Sequence, residues 1–412
     1  MVVLGEDGQV AGPVQRLAEL AVRVGVGVQP GQDVVVLGWD VEQAPIVRAV
    51  AEAAYAGGAR FVSTLYWDQH VKRSRLRHAP AESLGFVPDW WEAMTAESVA
   101  RRSAQIAVWG DPHRELFDDV SPERAASDQM PNTPSLMEAL SRGDIAWTVV
   151  PGPCPGVAQA LLGAPDVDRL WELMTPMLRL DAPDPERAWR EHIARLQHRA
   201  TLLQQRDFTA LRFRGGGTDL TVALLAGARW MTAALETTWG AQMVVNMPSE
   251  EVFTTPDHRR TEGVVRATRP VHLDGLGRVE GLTIRFEHGR AVRIDATRGA
   301  DQARAQMATD AGAARLGEVA LVDGSSPVGQ TGMVFGDILI DENATSHIAW
   351  GNAYAFTMPN LPADKDAQVA MGFNRSDVHQ DAMIGGREVD VFGIERSGAE
   401  IPVIAADAWV LS

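Results

Sequence analysis

The stretch from Pro30 to Tyr66 restricts the fold more than any other part of the chain. Pro30-Gly31 leads into Val34-Val35-Val36-Leu37, an apolar and mostly β-branched run with the length of a buried strand. An alanine-rich segment from about Glu42 to Ala56 follows with helical patterning, and Gly57-Gly58 ends it as glycine commonly ends helices. Arg60 to Tyr66 then reads as a second strand. Strand, helix and strand in that order form a βαβ unit, which demands a parallel sheet with covering helices. Further strands are predicted at Gln105–Trp109 and Ile145–Val150. The first strand runs out into Gly38-Trp39-Asp40-Val41-Glu42, without the glycine fingerprint that lets a backbone approach a pyrophosphate. Gly215-Gly216-Gly217-Thr218 lacks the lysine of a phosphate loop, so both stretches read as structural.

Asp184-Pro185-Glu186 supplies a capping side chain, a proline for the first turn and an acid near the positive end of a helix. That helix is predicted to run to about Gln205 and to separate an N-terminal α/β domain, residues 1–205, from a C-terminal domain, residues 206–412. Beyond it, Leu211–Arg214 and Thr218–Ala223 read as strands. Leu282–Glu287 and Ala291–Ile294 flank His288-Gly289-Arg290 as a hairpin, and Ala300–Arg315 reads as helical. The second half is thus expected to be mixed α+β.

Composition excludes several functions. The 412 residues carry a formal net charge of -16, from 54 acidic and 38 basic side chains. A polyanion partner such as nucleic acid needs clustered positive charge, so none is expected. Most of the acids are read as a solvated surface, with metal ions or a cationic substrate compatible with the remainder. Cys154 is the single cysteine, set in Pro-Gly-Pro-Cys-Pro-Gly, so neither an internal disulfide nor a thiolate zinc cage is available. Lys72 and Lys365 are the only lysines and thus the only Schiff-base candidates. No basic leader precedes an apolar run and no segment approaches ~18 uninterrupted apolar residues, so a membrane span is not expected and the cytoplasm is the predicted location. The twelve tryptophans are read as core.

Chemistry gathers in the C-terminal half. His192 and His198 lie six apart and share no i, i+4 face, while His70, His78, His113, His258, His272 and His288 sit among turn or charged residues and read as surface. His347 and His379 differ. Asp341-Glu342-Asn343-Ala344-Thr345-Ser346-His347 follows Asp337-Ile338-Leu339-Ile340, read as an apolar strand, so two acids and a histidine leave its end together. His379-Gln380-Asp381, if extended, points imidazole and carboxylate to one side, where both can grip one ion or the acid can orient the ring. Glu250-Glu251 sits among uncharged neighbours bracketed by Pro248 and Pro256, and Glu318 stands at the mouth of the apolar run Val319–Val322. Several oxygen ligands with one or two imidazoles suit a pair of divalent ions, one carboxylate bridging them.

Four motifs occur in order: Asn246-Met-Pro-Ser-Glu-Glu-Val-Phe-Thr254, Leu316-Gly-Glu-Val-Ala-Leu-Val322, Asp341-Glu-Asn-Ala-Thr-Ser-His347 with Tyr354 beyond, and Asn374-Arg-Ser-Asp-Val-His-Gln-Asp-Ala-Met-Ile-Gly385. Together they resemble the thermophilic aminopeptidases of peptidase family M29, from about Pro30 onward and most densely after Gly217. The resemblance implies that Glu250, Glu318, His347 and Asp381 are metal ligands, with Glu318 bridging. Glu342 and His379 fall in the same metal-site motifs, and Tyr354 matches a motif tyrosine at that site. It further implies two divalent ions (Zn, Co, Mn or Mg), peptide substrates with a free N-terminus, an N-terminal α/β domain, a metal-bearing C-terminal domain and a homodimer. Ala382, where relatives are often bulkier, and Met247, in place of a β-branched residue, are departures that remove no ligand.

The mechanism expected on this basis is two-metal water activation, with Glu251 as general base and Tyr354 donating to the oxyanion. Because neighbours in a strand face opposite ways, Glu250 and Glu251 can serve one site only if the backbone turns there. The rival readings are a specialised amidase of the same family, a metal-stapled binding protein, and an Fe(II) facial triad, against which the surplus of glutamates argues.

Overall fold

The computed structural model describes residues 12–412 except 118, 129 and 274–276. Strands Asp33–Gly38, Phe61–Tyr66, Ala104–Trp109 and Ala146–Pro151 form a parallel sheet in the spatial order second, first, third, fourth. Val34, Val36, Ile106 and Val108 alternate onto one side of it and are buried, as is the apolar face of helix Ala44–Ala56, through Ile46, Val47, Val50 and Ala54. Gln43 explains the missing glycine fingerprint. Its Oε1 accepts from the amides of Trp39 (2.8 Å) and Asp40 (3.2 Å), and its Nε2 donates to the Gly110 carbonyl at 3.0 Å. The amides that a phosphate would need are therefore already paired inside the protein. Cys154 is buried just before helix Pro155–Leu162, and burial pushes its thiol up to about 12.

The chain divides into two compact units, but not by a single cut after residue 205. The first unit extends to His192 and takes back Ala233–Pro248; the second comprises Ile193–Thr232 and Ser249–Ser412. The boundary falls inside helix Pro185–Arg206. The returning segment lies along the fourth parallel strand: Val149 N–H donates to Val245 O at 2.8 Å, and Met247 N–H donates to Val149 O at 3.0 Å. These are backbone bonds with no side-chain signature. Among the described residues no helix is long and apolar enough to cross a membrane.

Two large sheets carry most of the second unit, beside the small pair Val271–Leu273 and Gly277–Val279. One has eight strands, including the antiparallel neighbours Ala210–Gly215 and Thr218–Leu224 and the hairpin Thr283–Glu287/Arg290–Asp295. His288 and Gly289 both take positive φ (50° and 76°) at the hairpin tip, the conformation of a two-residue turn. The other sheet is fully antiparallel, in the order His379–Met383, His347–Gly351, Leu316–Leu321, Val252–Thr254. One of its faces buries Val252, Val319, Leu321, Ile348, Trp350 and Ala382 in the core. Burying one such large side chain fully is worth about 1.5–3 kcal/mol, so this face anchors all four strands.

Three sequence expectations change. Ile338–Asp341 is a turn of helix, not a strand, because acids at both ends serve backbone amides: Asp337 accepts from Leu339 N, and Asp341 accepts from Phe335 N (2.9 Å) and Gly336 N (2.6 Å). The helix begun at Ala300 stops at Met307, beyond which the Asp310 carboxylate captures the amides of Gly312 and Ala313, each at 2.8 Å. His258 is buried rather than on the surface, its Nε2 lying 3.2 Å from the Val369 carbonyl, and burial lowers its pKa.

Candidate metal centre

The four-stranded sheet converts motifs far apart in sequence into one surface. Its register pairs Glu318 with Ala349 and Ala349 with Asp381, so these three side chains form a row on the face opposite the core. Two residues along each strand, His347 and His379 join the same face, His347 paired with Ala320 and His379 with Gly351. Ala320, Ala349 and Gly351 are thus the small residues between the acids and imidazoles, and they leave room that larger side chains would fill. Gly351 has a φ of 99°, and a Cβ there would meet the Val378 carbonyl at 2.0 Å, so no other residue fits without moving the backbone. Glu318 sits within its strand, not at its mouth, and is 4% exposed.

Alternation also sorts the adjacent glutamates. Phe253 pairs with Ala320 on the site face, while Val252 pairs with Leu321 on the core face. Glu250 and Glu251 precede this ladder; continued back past its first residue, the same alternation would give Glu251 the site face and Glu250 the other. The Glu251 carboxylate is found in the cluster, with Oε2 3.1 Å from His347 Nε2. Glu250 is buried, and its backbone N–H donates to Asn343 Oδ1 at 2.7 Å.

The remaining separations have a common scale. His347 Nε2 lies 3.7 Å from Glu318 Oε1 and 3.8 Å from Asp381 Oδ1; His379 Nε2 lies 3.8 Å from Glu318 Oε2 and 3.8 Å from Asp381 Oδ1. Donor atoms that share a tetrahedral ion at ~2.0–2.1 Å stand about 3.3 Å apart, so these spacings fit ligands converging on common ions. Glu251, Glu318 and His347 each offer an atom within 4.8 Å of the other two. Glu318 turns Oε1 towards one imidazole and Oε2 towards the other.

Ring orientation is supplied by the backbone. His379 Nδ1 lies 2.8 Å from the Asn352 carbonyl, so Nδ1 carries the proton and donates, leaving the Nε2 lone pair towards the acids. His347 Nδ1 makes a longer contact, 3.4 Å, with Thr345 O. Sequence reading missed Asn352 because it acts through its carbonyl, which any residue possesses. The small residues Ala320 and Ala349 were invisible for a related reason: they matter only once the register is known.

Electrostatics also point to a cation site. Burial drives the Glu318 carboxyl up; His347 opposes this, and Glu251 and Asp381 reinforce it. Glu342 keeps part of its residue surface accessible, yet its carboxyl is enclosed, and enclosure with the nearby charges of Glu251 and Asp381 pushes it well above the carboxylate range. Burial works to lower His347, but hydrogen bonding to Glu251 and Glu318 outweighs it and holds the imidazole well above its ordinary value. A cluster of acids that retains protons this way binds divalent cations once they are removed. Asp341, the other acid of the motif, is occupied by the amides described above. Tyr354 is 37% exposed as a residue, but its phenol is enclosed, and burial with the nearby charges of Glu318 and Asp381 holds it well above its ordinary value; its ring lies 4.6 Å from that of His379 and stacks on Phe356 at 5.1 Å.

Known proteins show the same arrangement of the chain. The family described as thermophilic metalloprotease (M29) matches residues 12–409. The chain belongs to that family. It is 41% identical to aminopeptidase T of Thermus thermophilus over 405 residues, 97% of this chain and 98% of that protein. Aminopeptidase PepS of Streptococcus thermophilus is 34% identical, again over 97% and 98%. The solved structure of wild-type AmpT from Thermus thermophilus superposes with a TM-score of 0.88 at 39% identity, covering 97% of this chain and 99% of that one. The M29 assignment makes the chain a metal-dependent hydrolase, and the mixed α/β architecture is that of the solved relative.

Proposed function

We propose that this M29 enzyme uses two divalent ions, bridged by Glu318, to remove N-terminal residues from peptides. As a full-length relative of the aminopeptidases named above, the chain is a metal-dependent aminopeptidase. The observation that supports two ions is the orientation of Glu318, whose two oxygens address two different imidazoles 3.7 and 3.8 Å away. Charge supports the same count: Glu251, Glu318, Glu342 and Asp381 total -4 when ionised, which two divalent ions balance.

In this reading Glu251, Glu318 and His347 would hold one ion, and Glu318, His379 and Asp381 would hold the other. Ions held there would supply Lewis acidity and a water of lowered pKa. The alternation of the strand supports Glu251 as a ligand in place of Glu250, and Glu342, enclosed beside Glu251 and Asp381, as the group that takes the water's proton and returns it to the leaving amine. Tyr354, its phenol enclosed beside the same acids, donates to the developing oxyanion. A homodimeric assembly and a cytoplasmic location complete the proposal.

The test uses chelator-stripped protein on aminoacyl p-nitroanilides and short peptides, with Co, Mn, Zn or Mg restored singly. Release of N-terminal residues that returns with metal supports the proposal. Two bound ions with no peptide turnover would turn the assignment towards a specialised amidase or a structural metal site.

A further inference from the structure

We propose that Asn343 is a positioning residue that couples the two acid-bearing segments of the site and thereby sets its affinity for metal; the proposal rests on the metal-centre reading above. Asn343 has no exposed surface. Its Oδ1 accepts from Glu250 N at 2.7 Å, its Nδ2 donates to Leu339 O at 2.9 Å, and its own carbonyl accepts from Ser326 Oγ at 2.5 Å. One residue thus ties three stretches: the approach to strand Val252–Thr254, the helical turn Ile338–Asp341 and the loop that opens helix Pro327–Gln330.

The position of these bonds gives them their consequence. The strand ladder on this side starts only at Val252, so Glu250 and Glu251 precede any regular pairing. The Asn343 amide is a cross-segment anchor at Glu250, one residue before the carboxylate that stands 3.1 Å from His347. On its own segment Asn343 directly follows Glu342 and lies four residues before His347. It therefore fixes the spacing between Glu251 on one segment and Glu342 and His347 on the other. A side chain that orients ligands without touching the ion typically changes metal affinity by about 10- to 100-fold when removed.

The experiment titrates Co²⁺ into the chelator-stripped full-length chain by calorimetry, with thermal unfolding of the metal-free protein alongside. Asn343→Leu keeps the size and removes both amide hydrogen bonds. The expected result is a Co²⁺ dissociation constant about 10- to 100-fold weaker, with turnover regained at high Co²⁺ and KM unchanged. A folded Asn343→Leu protein with the unsubstituted dissociation constant would overturn the proposal. If Asn343→Leu does not fold, Ser326→Ala decides: it frees the Asn343 carbonyl and, with it, the Gly329 amide that caps the short helix, while keeping both Asn343 side-chain bonds; binding weakened by up to about tenfold sustains the proposal while an unchanged constant overturns it. Failure of the unsubstituted protein to bind Co²⁺ would instead strike the metal-centre reading, and this proposal with it.

Discussion

Exchanging carboxylate for amide at the two adjacent glutamates separates their roles. Glu251→Gln leaves the shape of the side chain intact but removes a negative charge 3.1 Å from His347 Nε2, in a position only 8% exposed. Two unit charges ~4 Å apart interact by about 4 kcal/mol at an effective dielectric constant of ~20, and a divalent ion doubles that. Desolvation of the carboxylate and the residual coordination offered by the amide oxygen offset roughly half. The expected loss is therefore about 3–4 kcal/mol, or roughly 100- to 1000-fold in metal dissociation constant at 1.4 kcal/mol per decade. Glu250→Gln alters a side chain that alternation directs away from the site face, and its metal affinity should stay within about threefold of the unsubstituted protein. Calorimetric titration of the two chelator-stripped variants, followed by metal analysis after dialysis, measures both effects. Loss of metal from Glu250→Gln with retention in Glu251→Gln would refute the alternation argument and restore Glu250 as the ligand.

Asp323→Asn should destabilise the protein by about 2–4 kcal/mol in urea unfolding, because it breaks a buried pair with Arg199 (2.7 Å) that Ser325 Oγ and Trp409 N–H also support. Burial raises the Asp323 pKa, but the bonds from Ser325 and Arg199 outweigh it, so the folded value lies below the unfolded one. The stability gap between the two proteins should accordingly persist above about pH 4 and close as the pH falls through the folded value; a gap that widens on acidification would contradict this sign. Cys154, with its thiol at about 12, should give no reaction with Ellman's reagent in the native protein at pH 8 and one equivalent after unfolding. Tyr354→Phe should lower kcat by about 100-fold with metal content and KM near those of the unsubstituted protein, whereas a loss confined to KM would assign the phenol to ground-state binding.

The readability of this chain depended on which physical signal each element carries. The parallel strands were legible because one fully buried face and one partly covered face still favour β-branched runs such as Val34–Leu37. His379 and Asp381 were legible as partners because a strand has period two, and the structure pairs them against Gly351 and Ala349 on one face. Ile338–Asp341 misled because four residues between acids have no period of their own, and side-chain capping by Asp337 and Asp341 decided the outcome. The proposed choice of Glu251 over Glu250 had no signal in the sequence. It follows from the pairing of Phe253 with Ala320, a register that only the assembled sheet defines. The return of Ala233–Pro248 to the first unit was hidden for the same kind of reason, since backbone bonds to Val149 recruit it.

The measurement that tests the central claim most directly is anomalous X-ray scattering from crystals of the enzyme soaked with Zn²⁺ or Co²⁺. The account predicts two peaks about 3.5–4 Å apart, one beside Glu251 and His347, the other beside His379 and Asp381, with Glu318 contributing one oxygen to each. A single peak, or ions bound away from Glu318, would contradict it.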